Sequence, residues 1–314
     1  MWILDLDGRI SLTDLARRVK QSPQIVSFRY NRLRKRKIIG PSLTLLNLHH
    51  VGLLTFRVYF RLRQLTADIE DDLRKFLSQC PDVLWLGQLS GSWDYEVVFV
   101  FKDYVAFARV WKSIQAKFGK FYDRYNVSMT TVTYHFRRDY LVKSTRREFA
   151  PAKYGEATTP VVLSESEKQL MSLLSRDCRI PLVTLQRKLK LGYQKILSMI
   201  AELEAKGIIQ AYRVPANLDL IGRLFVKALI KLHYEGPESE RKLYEFCARY
   251  PFVTYLIDVI GSWQFEVECE VEDILELESM MREMRRTFPS LIQDYEVVRI
   301  DKELVLRYEA TNKW

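Results

Sequence analysis

Leu54, Phe56, Val58, Phe60 and Leu62 alternate with Thr55, Arg57, Tyr59 and Arg61, the period-2 pattern of a half-buried strand. Thr66 then opens a helix that turns Ile69, Leu73, Phe76 and Leu77 inward. Val83 to Ser90 predicts a second strand, and Trp93, Tyr95, Val97, Phe99 and Phe101 alternate along a third. Asp103 caps another helix with Phe107, Val110, Trp111 and Ile114 on one side, and residues 121–134 supply a last strand. This β-α-β-β-α-β order predicts a four-stranded antiparallel sheet with both helices on one face. The opposite face carries Arg57, Arg61, Asp94 and Glu96. It is either wet, with cross-strand ion pairs, or packed against a second charged sheet.

Upstream the period changes to that of helices. Ser11 caps a short helix with Leu12, Leu15 and Val19 on one face. After a turn at Lys20-Gln21, Ser22-Pro23 opens a second helix whose Val26, Tyr30 and Leu33 face a core. Residues 38–45 read as a β-hairpin wing, which completes a winged helix-turn-helix. The outward face of the second helix offers Gln24, Ser27, Phe28, Arg29, Asn31, Arg32, Arg34, Lys35 and Arg36 as a candidate surface for duplex DNA. Arginine and lysine would neutralise phosphates there, and the amides would meet base edges.

The whole pattern returns at an offset of 170 residues. Asp7-Gly8-Arg9-Ile10 matches Asp177-Cys178-Arg179-Ile180, and Gly91-Ser92-Trp93-Asp94-Tyr95-Glu96-Val97 matches Gly261-Ser262-Trp263-Gln264-Phe265-Glu266-Val267. The expected organisation is a winged helix-turn-helix over 1–48, an α+β domain over 49–137, a basic linker over 138–162, a second winged helix-turn-helix over 163–218 and a second α+β domain over 219–308. Ser164 and Glu167 form a capping-box pattern at the start of the second copy. The first copy lacks the matching turns, so either its opening helix is short or the natural start lies upstream.

Charge separates the copies. Residues 9–37 hold ten basic residues against Asp14 alone, whereas residues 179–207 hold six basic and two acidic ones. Glu202 and Glu204 stand where the first copy has Arg32 and Arg34, so the second reading helix is expected to be weak on DNA. The net charge of +10 fits a polyanionic partner. Cys80, Cys178, Cys247 and Cys269 have no zinc-ligand spacing, and neither a metal nor a cofactor is expected. No apolar run is long enough to cross a bilayer and no signal peptide opens the chain, so no membrane association and a cytoplasmic location are expected.

This succession resembles the Lrp/AsnC (feast/famine) family of prokaryotic transcriptional regulators, in a tandem-duplicated form. The resemblance rests on Asp7-Gly8-Arg9, on Ser22-Pro23, Arg29, Leu33 and Ile38-Ile39, and on the Gly91-Ser92-Trp93-Asp94-Tyr95 hairpin. It implies a non-enzymatic DNA-binding regulator with ferredoxin-like (RAM-type) domains. The partners it implies are double-stranded DNA and an amino-acid effector. The assembly it implies is a homodimer whose α+β domains also pair within one chain. Gly91, Ser92, Asp94, Gly261, Ser262 and Gln264 become candidate effector contacts. The same architecture also occurs in siroheme decarboxylases, which carry paired histidine and arginine residues in the α+β cavity. Neither copy has a histidine in the hairpin or central strands, and this weighs against that alternative; the other alternative is a ligand-sensing or scaffold protein without DNA contact.

Overall fold

The computed structural model describes residues 1–63, 66–142, 150–156, 159–233 and 236–307. Lys143, Arg146 and Arg147 of the expected linker lie outside them. The chain is an α+β fold of helix-turn-helix-like and ferredoxin-like units. The first half runs α1 (Trp2–Leu6), α2 (Leu12–Arg18), α3 (Pro23–Lys35), β1 (Leu43–Leu46), β2 (Leu54–Leu62), α4 (Ala67–Gln79), β3 (Val83–Gly91), β4 (Tyr95–Phe101), α5 (Tyr104–Phe118) and β5 (Tyr122–His135). After β6 (Ala152–Gly155), the second runs α6 (Glu165–Arg176), α7 (Leu182–Leu189), α8 (Tyr193–Ala205), β7 (Ile209–Arg213), β8 (Leu224–Leu232), α9 (Pro237–Ala248), β9 (Val253–Ile260), β10 (Phe265–Val271), α10 (Ile274–Thr287) and β11 (Ile292–Leu306).

Local chemistry sets the helix starts. The hydroxyls of Ser11, Ser22 and Thr66 and the carboxylates of Asp103 and Asp273 each accept a bond from a first-turn N–H. Ser164 and Glu167 complete both halves of the capping box. Helix-side cores fill behind each sheet, with the Met280, Met281 and Met284 stripe and Cys247 and Cys269 inside the second.

The two four-stranded sheets do not stay separate. The strands run β2-β4-β3-β11-β8-β10-β9-β5, and β5 returns to β2, closing an eight-stranded barrel. Closure depends on the two long last strands. The first part of β5 pairs with β2 and its second part with β9; β11 likewise starts on β8 and ends on β3. Each copy therefore lends half a strand to the other. The charged faces turn inward, along with Tyr59, Trp93, Leu229, Ile257 and Trp263.

The predicted wing hairpin does not form. Instead β1 pairs antiparallel with β7 of the second copy, Leu43 opposite Arg213 and Leu45 opposite Ala211. All four residues of β1 are buried, and Thr44 Oγ1 donates to the Leu174 carbonyl at 2.7 Å. A buried strand with no partner in its own unit must find one elsewhere.

Candidate functional site

A cavity of about 170 Å³ opens between the barrel and the connector that follows β1. Leu46, Leu48, Leu84, Trp85, Val98, Phe225 and Ile257 supply its apolar wall. His49, Thr55, Arg57, Thr130, Thr133 and Glu268 supply the polar one. A more open cleft of about 570 Å³, containing Arg223, Arg299 and Lys302, shares Phe225 and Glu303 with it.

Arg57 alternates out of the helix-side core along β2, and this points its guanidinium into the barrel. Its Nη1 donates to Glu96 at 2.6 Å and to Glu266 at 3.1 Å, and its Nε donates to Thr130 at 3.2 Å. No hydrogen bond from Nη2 is found among the described residues. Desolvation works against the Arg57 charge, but Glu266 and Glu96 more than restore it, and the guanidinium is held firmly protonated. His49 reaches the wall from the turn after β1, hydrogen-bonded to Thr55 Oγ1 at 3.2 Å. Burial first, and then His50, lowers its affinity for a proton, so the ring is neutral at physiological pH. Arg307 closes one side with its guanidinium on the carbonyls of Ser78, Cys80 and Val83, around the C-terminus of α4.

The sequence-predicted residues fall elsewhere. Gln24, Phe28, Arg29, Asn31, Arg32, Arg34, Lys35 and Arg36 form an exposed face of α3 with the half-buried Ser27, away from the cavity. The six candidate effector residues are taken up by the barrel seams and strand ends. Gly91 has φ +119° and a side chain there would meet the Val297 carbonyl at 2.9 Å. Gly261 approaches Ser128 Cβ, which a side chain would meet at 2.7 Å. Asp94 accepts from Leu62 N at 2.7 Å and from Arg61 at 2.8 Å, and Gln264 accepts from Leu232 N at 2.8 Å. The Ser92 carbonyl accepts from Arg124, and the Ser262 hydroxyl accepts from Asn126. The His49-His50 pair, read from sequence as part of a connector, is what sequence reasoning missed. Its signal is a histidine pair four and five residues ahead of a strand whose inward face carries an arginine.

No family model matches the chain. It is similar to the siroheme decarboxylase NirDL in complex with an iron-uroporphyrin III analogue, with a TM-score of 0.64 at 10% identity over 96% of this chain and 89% of that one. A second structure of siroheme decarboxylase NirDL gives 0.63 at 11% identity, over 94% and 86%. An uncharacterised HTH-type transcriptional regulator of Pyrococcus furiosus is 28% identical over 105 residues, 33% of this chain and 70% of that protein. The chain thus shares its fold of helix-turn-helix-like and α+β units with the NirDL structures.

These findings correct the expectation of a DNA-binding, non-enzymatic regulator with DNA as its partner. The likeness that runs nearly the whole chain is to a catalytic protein, and that to an HTH-type regulator reaches one third of it. The β-hairpin wing expected over residues 38–45 is corrected with it: β1 is spent on joining the two copies, while the basic face of α3 stays exposed. The argument from missing histidines is also corrected, since His49 enters the cavity from outside the strands. Among the described residues no helix is long and apolar enough to cross a membrane.

Proposed function

We propose that the chain is a decarboxylase-type enzyme acting on a carboxylate-bearing small molecule held in the cavity beside Arg57 and His49, with a tetrapyrrole carboxylate such as siroheme as the substrate to test first. The observation that carries this reading is the Arg57 guanidinium, fixed by Glu96, Glu266 and Thr130, on the wall of a largely apolar cavity. The likeness in fold to a siroheme decarboxylase over 96% of this chain supports it.

Size sets what enters. A cavity of about 150 Å³ accepts benzene, so about 170 Å³ accommodates one carboxylate arm with the ring that bears it. The remainder of a larger molecule belongs in the adjoining cleft, where Lys302 stands beside Arg223 and Arg299, themselves paired with Glu272 and Asp301. Arg57 would orient the arm by a charge-assisted bond. The apolar wall excludes water and favours loss of the charged group as neutral CO2.

Anaerobic incubation of the purified chain with siroheme, followed by mass spectrometry of the tetrapyrrole, tests the reading. Loss of CO2, abolished in Arg57→Met, supports it. Siroheme recovered intact at stoichiometric enzyme would overturn it.

A further inference from the structure

The barrel interior holds more acid than base. Arg57 on β2 and Lys227 on β8 face Glu96 on β4 and Glu266 and Glu268 on β10. Lys227 is fully buried, with Nζ 3.0 Å from both Glu266 Oε2 and Glu268 Oε1, and closer still to Glu96 Oε2. It also donates to the Tyr59 hydroxyl at 2.9 Å, so four acceptors surround three N–H bonds. Arg307, the other cation on the cavity wall, is bonded to the carbonyls of Ser78, Cys80 and Val83 and pairs with none of these carboxylates among the described residues. Tyr59 donates to Glu266, and Trp263 Nε1 donates to it at 3.0 Å. Thr130 on β5, Tyr255 on β9 and neutral His49 line the cavity beside the cluster. Glu303 on β11, bonded by Trp85 Nε1 at 2.8 Å, adds a fourth carboxyl at the edge. With every group ionised, the five-residue cluster carries a net −1, with Lys227, Glu96 and Glu266 sealed from solvent and Arg57 and Glu268 at the cavity wall. Buried charge of that kind is relieved by protonation.

The geometry points to one proton held among Glu96, Glu266 and Glu268 at neutral pH, with Glu268, the carboxyl on the cavity wall, delivering it to the substrate carbon that loses CO2. The delivery half rests on the decarboxylase reading; the stored proton does not. Glu268 is placed for the task because it bonds Lys227 through Oε1 and lines the cavity. The step balances. The C–CO2 bond breaks, its electron pair stays on the substrate carbon, and that carbon takes the proton from Glu268. Glu268 is left as a carboxylate and is recharged from solvent. Burial raises Glu96 despite Lys227, while for Glu266 the pull of Lys227 and Arg57 outweighs burial and keeps it ionised.

Infrared spectroscopy of the full chain at pH about 7 tests the stored proton. The expected result is a protonated-carboxyl C=O band that shifts in D2O and disappears in both Glu96→Gln and Glu268→Gln, each of which leaves two carboxylates against two cations. Absence of the band in the wild type, or its survival in both variants, overturns the stored proton. Circular dichroism checks that each variant folds, and having two variants keeps the test usable if one does not. For delivery, Glu268→Gln should slow siroheme turnover by roughly 10²–10⁴-fold with siroheme binding retained, and Glu268→Asp should recover turnover with a shifted pH profile. An unchanged rate in Glu268→Gln overturns delivery. If the wild type leaves siroheme intact, the decarboxylase reading and delivery fall together, and the infrared band alone decides the stored proton.

Discussion

Replacing Lys227 by methionine leaves Arg57 alone against three buried carboxyl groups that share one proton. Removing one partner of a buried ion pair typically costs about 3–5 kcal/mol, mostly because the remaining charge is stranded. Lys227→Met should therefore lose about that much in urea unfolding, and adding Glu266→Gln should restore part of it. A loss under about 1 kcal/mol would show that the carboxylates had simply taken up protons. Two histidines set the acid side. Burial lowers His49, with His50 adding to it, and burial lowers His135 much further, with Arg213 and Arg138 adding to it. The unfolded chain then binds protons that the native state refuses. The stabilisation is complete above the unfolded pKa of about 6.5 and is lost as pH falls from there toward the native values. The slope is about 1.4 kcal/mol per pH unit for each histidine held neutral. His135→Phe, which keeps the ring stacked on Tyr255, should flatten the fall in stability between pH about 6.5 and about 5. An equally steep fall in that variant counts against His135 as a source.

Among the elements, the seams depend on close backbone approach. At φ +119° Gly91 occupies backbone space that L side chains rarely adopt, and a methyl would press on the Val297 carbonyl of β11. Gly91→Ala should cost about 1–3 kcal/mol, with faster hydrogen exchange along β3 and the second part of β11 and little change in α4 and α5. Uniform loss of protection would place the damage elsewhere. The strands, helices and caps were legible in the sequence because Leu54 to Leu62, Ser11, Ser22 and Asp103 carry local signals. The inward-facing charges were legible too, as alternate positions of β2, β4, β8 and β10. Closure was not, because the second parts of β5 and β11 find their partners about 125 and 215 residues away, where periodicity says nothing about pairing. The same holds for β1, whose partner lies in the other copy. His49 was missed because a turn residue has no periodicity to assign it to a face.

At the scale of the molecule, a second buried ion cluster joins the helix-turn-helix pair to the barrel, and its arithmetic differs from the first. Arg138 donates to both oxygens of Glu270, at 2.8 Å and 3.2 Å from Nε and at 2.8 Å from Nη2, and its Nη1 reaches Asp5 of α1 at 2.9 Å. Arg213 of β7 meets Asp5 at 3.1 Å and the His135 carbonyl of β5 at 3.3 Å. Two cations face two carboxylates, so this junction needs no extra proton and acts as a tie. It connects α1, β5, β7, β10 and the segment after β5 in one network, and β1 with β7 carries the connection into the second helix-turn-helix unit. With both barrel seams closed as well, the wild type should unfold in a single calorimetric transition, with coincident loss of signal from the helix-turn-helix units and the barrel. Arg138→Met strands Glu270, leaves Asp5 with Arg213 alone and should cost about 3–5 kcal/mol, but its more telling effect is on cooperativity. The helix-turn-helix pair should then exchange its amide hydrogens ahead of the barrel strands, and the melt should separate into two steps. A variant that is destabilised yet still melts as one unit would mean that the β1–β7 ladder and the packing around it suffice to couple the two parts, and that the Arg138 network contributes stability without coupling.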